Sequence, residues 1–398
     1  MSWTRQFIYN QMTGRRTTSP FRPASEQLIV TRQSEVVVVG AGPAGIVAAI
    51  AARRLDLQVT VLDARIPPIN KPCGEGILPQ GVAALGRLGI TFPSESTFPL
   101  RGIRFVNGEH SVRADFSGAT GFSVRRVKLH QLLLNHAAEA GVEFRWGTRV
   151  MQIDTEAVTT AKEKFCYRWL VGADGQNSMV RKWAGLDPRR ARRKRFGFCS
   201  HFQVRPWSDV AEVHWSQGCQ VFITPMPGQE VGVAVISPDP ALRLEEALAR
   251  FPVLTEKLRG AARTTREIGD ATGLKILPAV TRGRVALVGD ASGTVDAVTG
   301  HGLSLSFQQA MPLAEAMRLD DLAHYQHAHR NIAAVPIAMS RLMLLMAGSD
   351  WIRRRTIRLF HETPCLFSKL LAIHAETMPL SSVGMAEIAG FGWKFLRT

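Results

Sequence analysis

Residues Glu35–Gly40 read E-V-V-V-V-G, and Gly40-Ala41-Gly42-Pro43-Ala44-Gly45 follows at once. A continuous β-branched run is the pattern of a strand buried on both faces, as in a parallel sheet. A small-residue helical pattern runs from Gly42 to Leu55, and Gln58–Asp63 (Q-V-T-V-L-D) reads as a second buried strand. Together they form a strand–helix–strand unit of about 30 residues. In that context the glycines have separate tasks. Gly40 permits a tight turn, Gly42 lets backbone approach a pyrophosphate, and Gly45 allows close helix–strand packing. The helix N-terminus, opened by Pro43 and Ala44, supplies partial positive charge. Asp63 ends the second strand, where a carboxylate accepts bonds from an adenosine ribose. The unit predicts dinucleotide binding.

Farther on, short alternating strands span Ile103–Phe122, with Gly108 and Gly118 as turns. Arg126–Gly141 reads as an amphipathic helix with Leu129, Leu132, Leu133 and Ala137 on one face. Strand patterns follow at Val142–Trp146, Val150–Thr155 and Arg168–Gly172, and again through Phe196–Ile236 around a turn at Met226–Glu230. Val285–Val288 returns to the buried parallel type, and from Ser304 the pattern is mainly helical. The most apolar stretch, Ile332–Met346, contains Pro336, Ser340 and Arg341. It reads as a packed or interfacial helix rather than a membrane span.

Net charge is +16, concentrated at Arg189–Arg195 and at Arg353, Arg354, Arg355 and Arg358. Such runs read as a solvated loop, a contact with an anionic membrane surface, or a contact with an acidic partner protein. No zinc finger or RNP-type strand accompanies them, so no nucleic-acid partner is expected. The five cysteines are odd in number and scattered, with no C-x-x-C, so neither a disulfide framework nor a metal site is expected. That usage fits a reducing cytoplasmic compartment, with attachment at the membrane periphery left open. The apolar, basic segment from Arg341 onward reads either as an interfacial lid or as part of a substrate-domain core.

Two further motifs decide which dinucleotide is bound. Leu170-Val171-Gly172-Ala173-Asp174-Gly175 is one, and Arg284-Val285-Ala286-Leu287-Val288-Gly289-Asp290-Ala291 is the other. The second precedes a glycine-punctuated helix start, Thr299-Gly300-His301-Gly302-Leu303. With these, Glu35–Gln309 resembles the FAD-dependent monooxygenases of the aromatic-hydroxylase type and their geranylgeranyl-reductase and flavin-halogenase relatives. The resemblance implies that Asp290, with Gly289, bonds the ribityl and pyrophosphate region of FAD. It implies that the turn at Gly300, Gly302 and Leu303 faces the flavin ring. Arg126 resembles the family arginine near the FAD phosphates, and Asp174 with Gly175 resembles an element serving FAD and NAD(P)H.

Lys71-Pro72-Cys73-Gly74-Glu75-Gly76 stands where the family places a loop beside the flavin. Glu75 and His301 are the candidate catalytic groups, as titratable side chains expected near the ring. The bland readings are loop closure over the flavin for Glu75 and a hydrogen-bonded turn for His301. Cys73 reads as a small buried filler. His201, His214, Trp207 and Trp215 read either as walls for a flat ligand or as ordinary core. Ser292-Gly293 replaces the histidine usual after Gly-Asp-Ala-Ala in the aromatic hydroxylases, and that stretch is similar to the reductase and halogenase branch. The halogenase W-x-W-x-I-P signature is absent.

The implied fold class is α/β: a Rossmann-like, glutathione-reductase-like FAD-binding domain with an inserted mixed β-sheet substrate domain and a helical C-terminus. The FAD-binding domain is expected from 34–100, 125–190 and 275–320, and the substrate domain from 101–124 and 191–274. Residues 321–398 form the helical region, and residues 1–33 a flexible N-terminal extension. The implied activity is NAD(P)H-dependent hydroxylation of an aromatic or phenolic, lipophilic metabolite. Three alternatives stay open: double-bond reduction in an isoprenoid, modification of an aromatic residue in a partner protein, and a non-catalytic flavin- or membrane-binding module.

Overall fold

Val36, Val37 and Val38 are fully buried and sit at the centre of a parallel sheet. The computed structural model describes residues 30–187, 194–382, 384, 390, 392, 394 and 395. The parallel strands lie in the order Val285–Leu287, Glu163–Gly172, Val30–Val39, Val59–Asp63, Glu143–Trp146, with Thr281–Arg282 antiparallel at one edge. Covered on both faces, the central strands can be apolar throughout, which is why their sequence shows no alternation.

The first strand starts at Val30, inside the segment expected to be an extension. Val30–Ser34 pair with Glu163–Tyr167. The side chains of Val30–Gln33 are exposed, so the pairing is a backbone ladder that an apolar pattern does not reveal. Residues 1–29 lie outside the described residues.

The helix Pro43–Arg53 packs on this sheet so closely that a Cβ at Gly45 would fall 1.9 Å from the Gly40 carbonyl oxygen. The helix Arg126–Glu139 lies against it and buries Leu129, Leu133 and Ala137.

A second sheet holds, in order, Ala262–Arg263, Arg195–Gln203, Glu230–Ser237, Cys219–Met226, Ala211–Ser216, Gly102–Asn107 and His110–Asp115. It is mixed, because Ala211–Ser216 and Gly102–Asn107 run parallel while their outer neighbours are antiparallel. This is the α/β architecture with a mixed second sheet and a helical C-terminus.

The C-terminal helices Asp350–Glu362 and Pro364–His374 lie on the second sheet, where Ile357, Phe360 and Phe367 join Phe105 and Trp215 in one core. Trp215 is thus core, as the bland reading held. The helix Leu322–Gly348 runs unbroken for 27 residues through Pro336 and, by length and composition alone, is long enough to cross a bilayer. Its two ends belong to different cores: Tyr325 to the first, Met343 and Met346 to the second.

The basic runs are not simply solvated. Arg195 is buried and paired with Asp296 at 2.8 Å, and Arg353 is buried beside Asp350 and Asn107. Arg354 and Arg358 are exposed and pair with Asp350 and Glu362. Arg189–Arg193 lie outside the described residues.

Candidate functional site

The C-terminal ends of the parallel strands open into a cavity of about 650 Å³ that extends to the face of the second sheet. Ligands of doubly wound sheets bind at such strand ends. Of the residues singled out from sequence, Gly40, Gly42, Pro43, Ala44, Asp63, Glu75, Arg126, Asp174, Gly175, Gly289, Asp290, Gly300, Gly302 and Leu303 all line it. Gly45 lies beneath the turn instead. His301 does not line the cavity.

Gly40 adopts φ +107, and a Cβ there would fall 2.4 Å from the Ala173 carbonyl oxygen. That position needs glycine both for conformation and for approach. A Cβ at Gly42 would meet nothing within 4 Å, so this side of the turn faces open space. No side chain caps the helix Pro43–Arg53, whose first residues Pro43 and Ala44 line the cavity, so the helix N-terminus meets it without a capping group. The Asp63 carboxylate accepts from Ala41 N and Arg65 N, each at 2.8 Å. The Ala41 carbonyl is in turn held by His130 Nε2 at 2.8 Å.

Arg126 is buried, its Nη1 has no hydrogen-bond partner among the described residues, and burial lowers its pKa from the ordinary value. A buried guanidinium nitrogen without an acceptor fits a site for an anionic group. Asp290 is exposed and lines the cavity, and among the described residues its carboxylate accepts no hydrogen bond. The protein around it raises the carboxyl pKa by burial, an effect that Lys71 opposes. An uncapped helix end, an unsatisfied arginine and a free carboxylate therefore surround one cleft. This donor and acceptor set fits a dinucleotide.

Asp174 is committed at one oxygen: among the described residues its buried Oδ1 has no partner. Its Oδ2 accepts from Met179 N at 2.7 Å and Val180 N at 3.1 Å, the role of a helix-capping aspartate. His301 departs furthest from the sequence reading. It is fully buried, its Nε2 meets the His374 carbonyl at 2.9 Å, and burial pushes its pKa down to about 4. This imidazole, neutral near pH 7, does not line the cavity and joins the Gly300–Gly302 turn to the C-terminal helix Pro364–His374.

Glu75 adopts φ +61, a region seldom used by a residue with a Cβ. Its carboxylate is held from both sides: Oε1 accepts from Arg126 N at 2.6 Å, and Oε2 lies 2.5 Å from His201 Nε2. Cys73 beside it is a half-buried, cavity-lining thiol whose pKa desolvation raises to about 12, so it stays protonated. Sequence reasoning missed the His201 contact, which spans 126 positions. It also passed over Arg65 as a cavity residue, although Arg65 sits two positions after the recognised strand end Asp63. His214 and Trp207 both point at Glu212 and do not line the cavity.

The far half of the cavity is apolar. Ile103, Phe105, Phe116, Val213, Phe222 and Met343 form its wall. The cleft lined by Arg126 and the helix N-terminus therefore opens into an aromatic chamber.

The FAD binding domain family matches residues 33–320. Over 329 residues the chain is 27% identical to the menaquinone reductase of Mycobacterium tuberculosis, covering 74% of this chain and 79% of that one. It is 25% identical over 357 residues to the rifampicin monooxygenase of Rhodococcus hoagii, covering 81% and 74%. Among solved structures, a flavoprotein/dehydrogenase from Cytophaga hutchinsonii superposes with a TM-score of 0.76 at 16% identity, covering 86% of this chain and 93% of that one. With a family match across most of its length and a cleft that fits the cofactor, this chain belongs to the FAD binding domain family and is an FAD-dependent oxidoreductase.

Proposed function

We propose that this flavoprotein oxygenates a lipophilic aromatic or phenolic metabolite, with NAD(P)H as the reductant. The observation that carries the proposal is the continuity of the polar cleft with the chamber walled by Phe105, Phe116 and Phe222. A flat apolar ligand gains about 25 cal/mol for each Å² of apolar surface it buries in such a chamber. The relationship to a rifampicin monooxygenase supports the same class of reaction.

Bound FAD supplies the redox chemistry. The N–H groups of Gly42 and Ala44 would hold its pyrophosphate, Pro43 between them having none, with Arg126 adding charge. Asp63 would accept from the adenosine ribose, and Asp290 from the ribityl hydroxyls. Asp174 and Gly175 flank the cleft as wall residues. The Gly300–Leu303 turn, without side chains at two positions, would let backbone approach the ring. The apolar wall excludes water and orients the substrate.

A second reading is reduction of a double bond in an isoprenoid compound. The Glu75–His201 pair is compatible with it, because saturation takes up a proton and this pair is a buried acid–base couple beside the chamber. The relationship to a menaquinone reductase points the same way.

One assay separates the two. NAD(P)H oxidation is followed with a panel of phenols and polyprenyl quinones, in air and without oxygen. Oxygenation predicts substrate-stimulated NAD(P)H loss with matching O₂ uptake and no product under anaerobic conditions. Anaerobic turnover would transfer the assignment to the reductase.

A further inference from the structure

We propose that Glu75, His201 and Thr265 form a path along which protons enter the cavity from solvent. Glu75 lines the cavity, and its Oε2 stands 2.5 Å from His201 Nε2. The other ring nitrogen, Nδ1, stands 2.9 Å from Thr265 Oγ1. Glu75 and His201 are 5% and 7% exposed, whereas Thr265 is partly exposed. The three residues thus connect the chamber to the outer surface through two short contacts.

The chain is built to hold that alignment. Thr265 Oγ1 also accepts from the His201 backbone N–H at 3.1 Å, and the Thr265 carbonyl accepts from Ser200 Oγ at 2.7 Å. The carboxylate cannot swing away, because Arg126 N holds its other oxygen. A satellite cavity of about 10 Å³ adjoins Glu75, His201 and Thr224, at the lower limit for one water.

Imidazole suits the middle position, since it accepts a proton on one nitrogen while releasing one from the other. With Nε2–H directed at Glu75, Nδ1 is free to take a proton by way of the Thr265 hydroxyl. The titratable and charged groups facing the pair are Cys73 on the same loop, Cys199 on the His201 strand and Arg126 on its helix. Burial raises both thiols, to about 12 and about 11, so neither competes for the proton. At the outer end Glu230 pairs with Arg125 and accepts from Thr264.

Both overall reactions need such a path. Oxygenation converts RH, O₂, NAD(P)H and H⁺ into ROH, H₂O and NAD(P)⁺. Reduction converts the alkene, NAD(P)H and H⁺ into the saturated product and NAD(P)⁺. Each takes up one proton, so the path does not depend on which reading of the substrate holds. Glu75 is the cavity group, and His201 and Thr265 are positioning residues that act through it.

Two measurements test the path without a substrate. In the apoprotein, proton NMR is expected to show an exchange-protected, downfield ring N–H that is absent from both His201→Gln and Glu75→Gln. In the holoenzyme, reduced methyl viologen donates electrons without protons, so reduction of bound FAD draws one proton from solvent. A pH indicator follows that uptake under anaerobic conditions. His201→Gln and Thr265→Val are expected to slow it by about tenfold or more, while Thr265→Ser keeps the wild-type rate. Thr265→Val decides the matter should His201→Gln fail to fold. Uptake in both variants at the wild-type rate, with full FAD content, would overturn the path. A substrate panel that yields no turnover would count against the proposed function and leave this test standing.

Discussion

The Asp63 carboxylate accepts the backbone N–H of Ala41 at 2.8 Å, tying the end of the second strand directly to the glycine turn. It also accepts from Arg65 N at the same distance. Replacing Asp63 by Ala leaves the buried Ala41 N–H without an acceptor, at a cost of about 1–3 kcal/mol. The same change removes the acceptor facing the adenosine end of the cleft. Thermal unfolding and FAD titration of Asp63→Ala are expected to show both a lower midpoint and weaker binding. Normal affinity in this variant would dissociate Asp63 from the cofactor.

Gly42 and Gly45 give opposite expectations for the same added methyl group. At Gly45 the Cβ would lie 1.9 Å from the Gly40 carbonyl oxygen, a backbone atom that cannot move without opening the turn. Gly45→Ala is therefore expected to lower stability and lose FAD together. At Gly42 the methyl meets no protein atom within 4 Å. Gly42→Ala is expected to fold normally yet bind FAD more weakly, because the methyl occupies the approach of the pyrophosphate. Melting curves beside flavin content distinguish the pair.

Much of the first sheet was legible because both faces of its central strands are covered, so Val36–Val39 is an unbroken apolar run and Val59–Leu62 is broken only by the β-branched Thr60. The glycine positions were legible because close approach leaves no other residue type suitable. Orientation was not legible. His301 occupies a turn whose neighbours line the cavity, yet the ring points to His374, across 73 positions of sequence. Asp174 satisfies a local helix end, a competing use that a strand-end aspartate always has. Glu75 meets His201 only because the second sheet docks against the 71–76 loop, and no local pattern encodes that docking. The helix through Pro336 persists because that residue packs in the interior, where tertiary contacts outweigh the lost hydrogen bond.

His301 and His329 predict how stability responds to acid. Burial lowers both to about 4 from an ordinary value of 6.5. Between those values the unfolded chain binds more protons than the folded one, so stability rises with pH across that interval. The stability is intact above pH 6.5 and is lost as pH falls toward 4, by on the order of 3 kcal/mol for each group. Denaturant unfolding measured at pH 7, 6, 5 and 4 is expected to show this decline, and His329→Gln to make it shallower. A flat profile would contradict rings that stay neutral in the fold.

The central claim is that FAD is gripped jointly by the early glycine turn and by Asp290, remote in sequence and facing each other across one cleft. Calorimetric titration of FAD into purified wild-type and Asp290→Ala protein tests it most directly. Loss of a hydrogen bond to a charged group, worth about 1.5–3 kcal/mol, predicts binding at least about tenfold weaker in the variant, with unchanged melting. Equal affinity in the two proteins, or no heat of binding in a folded wild type, would contradict the account.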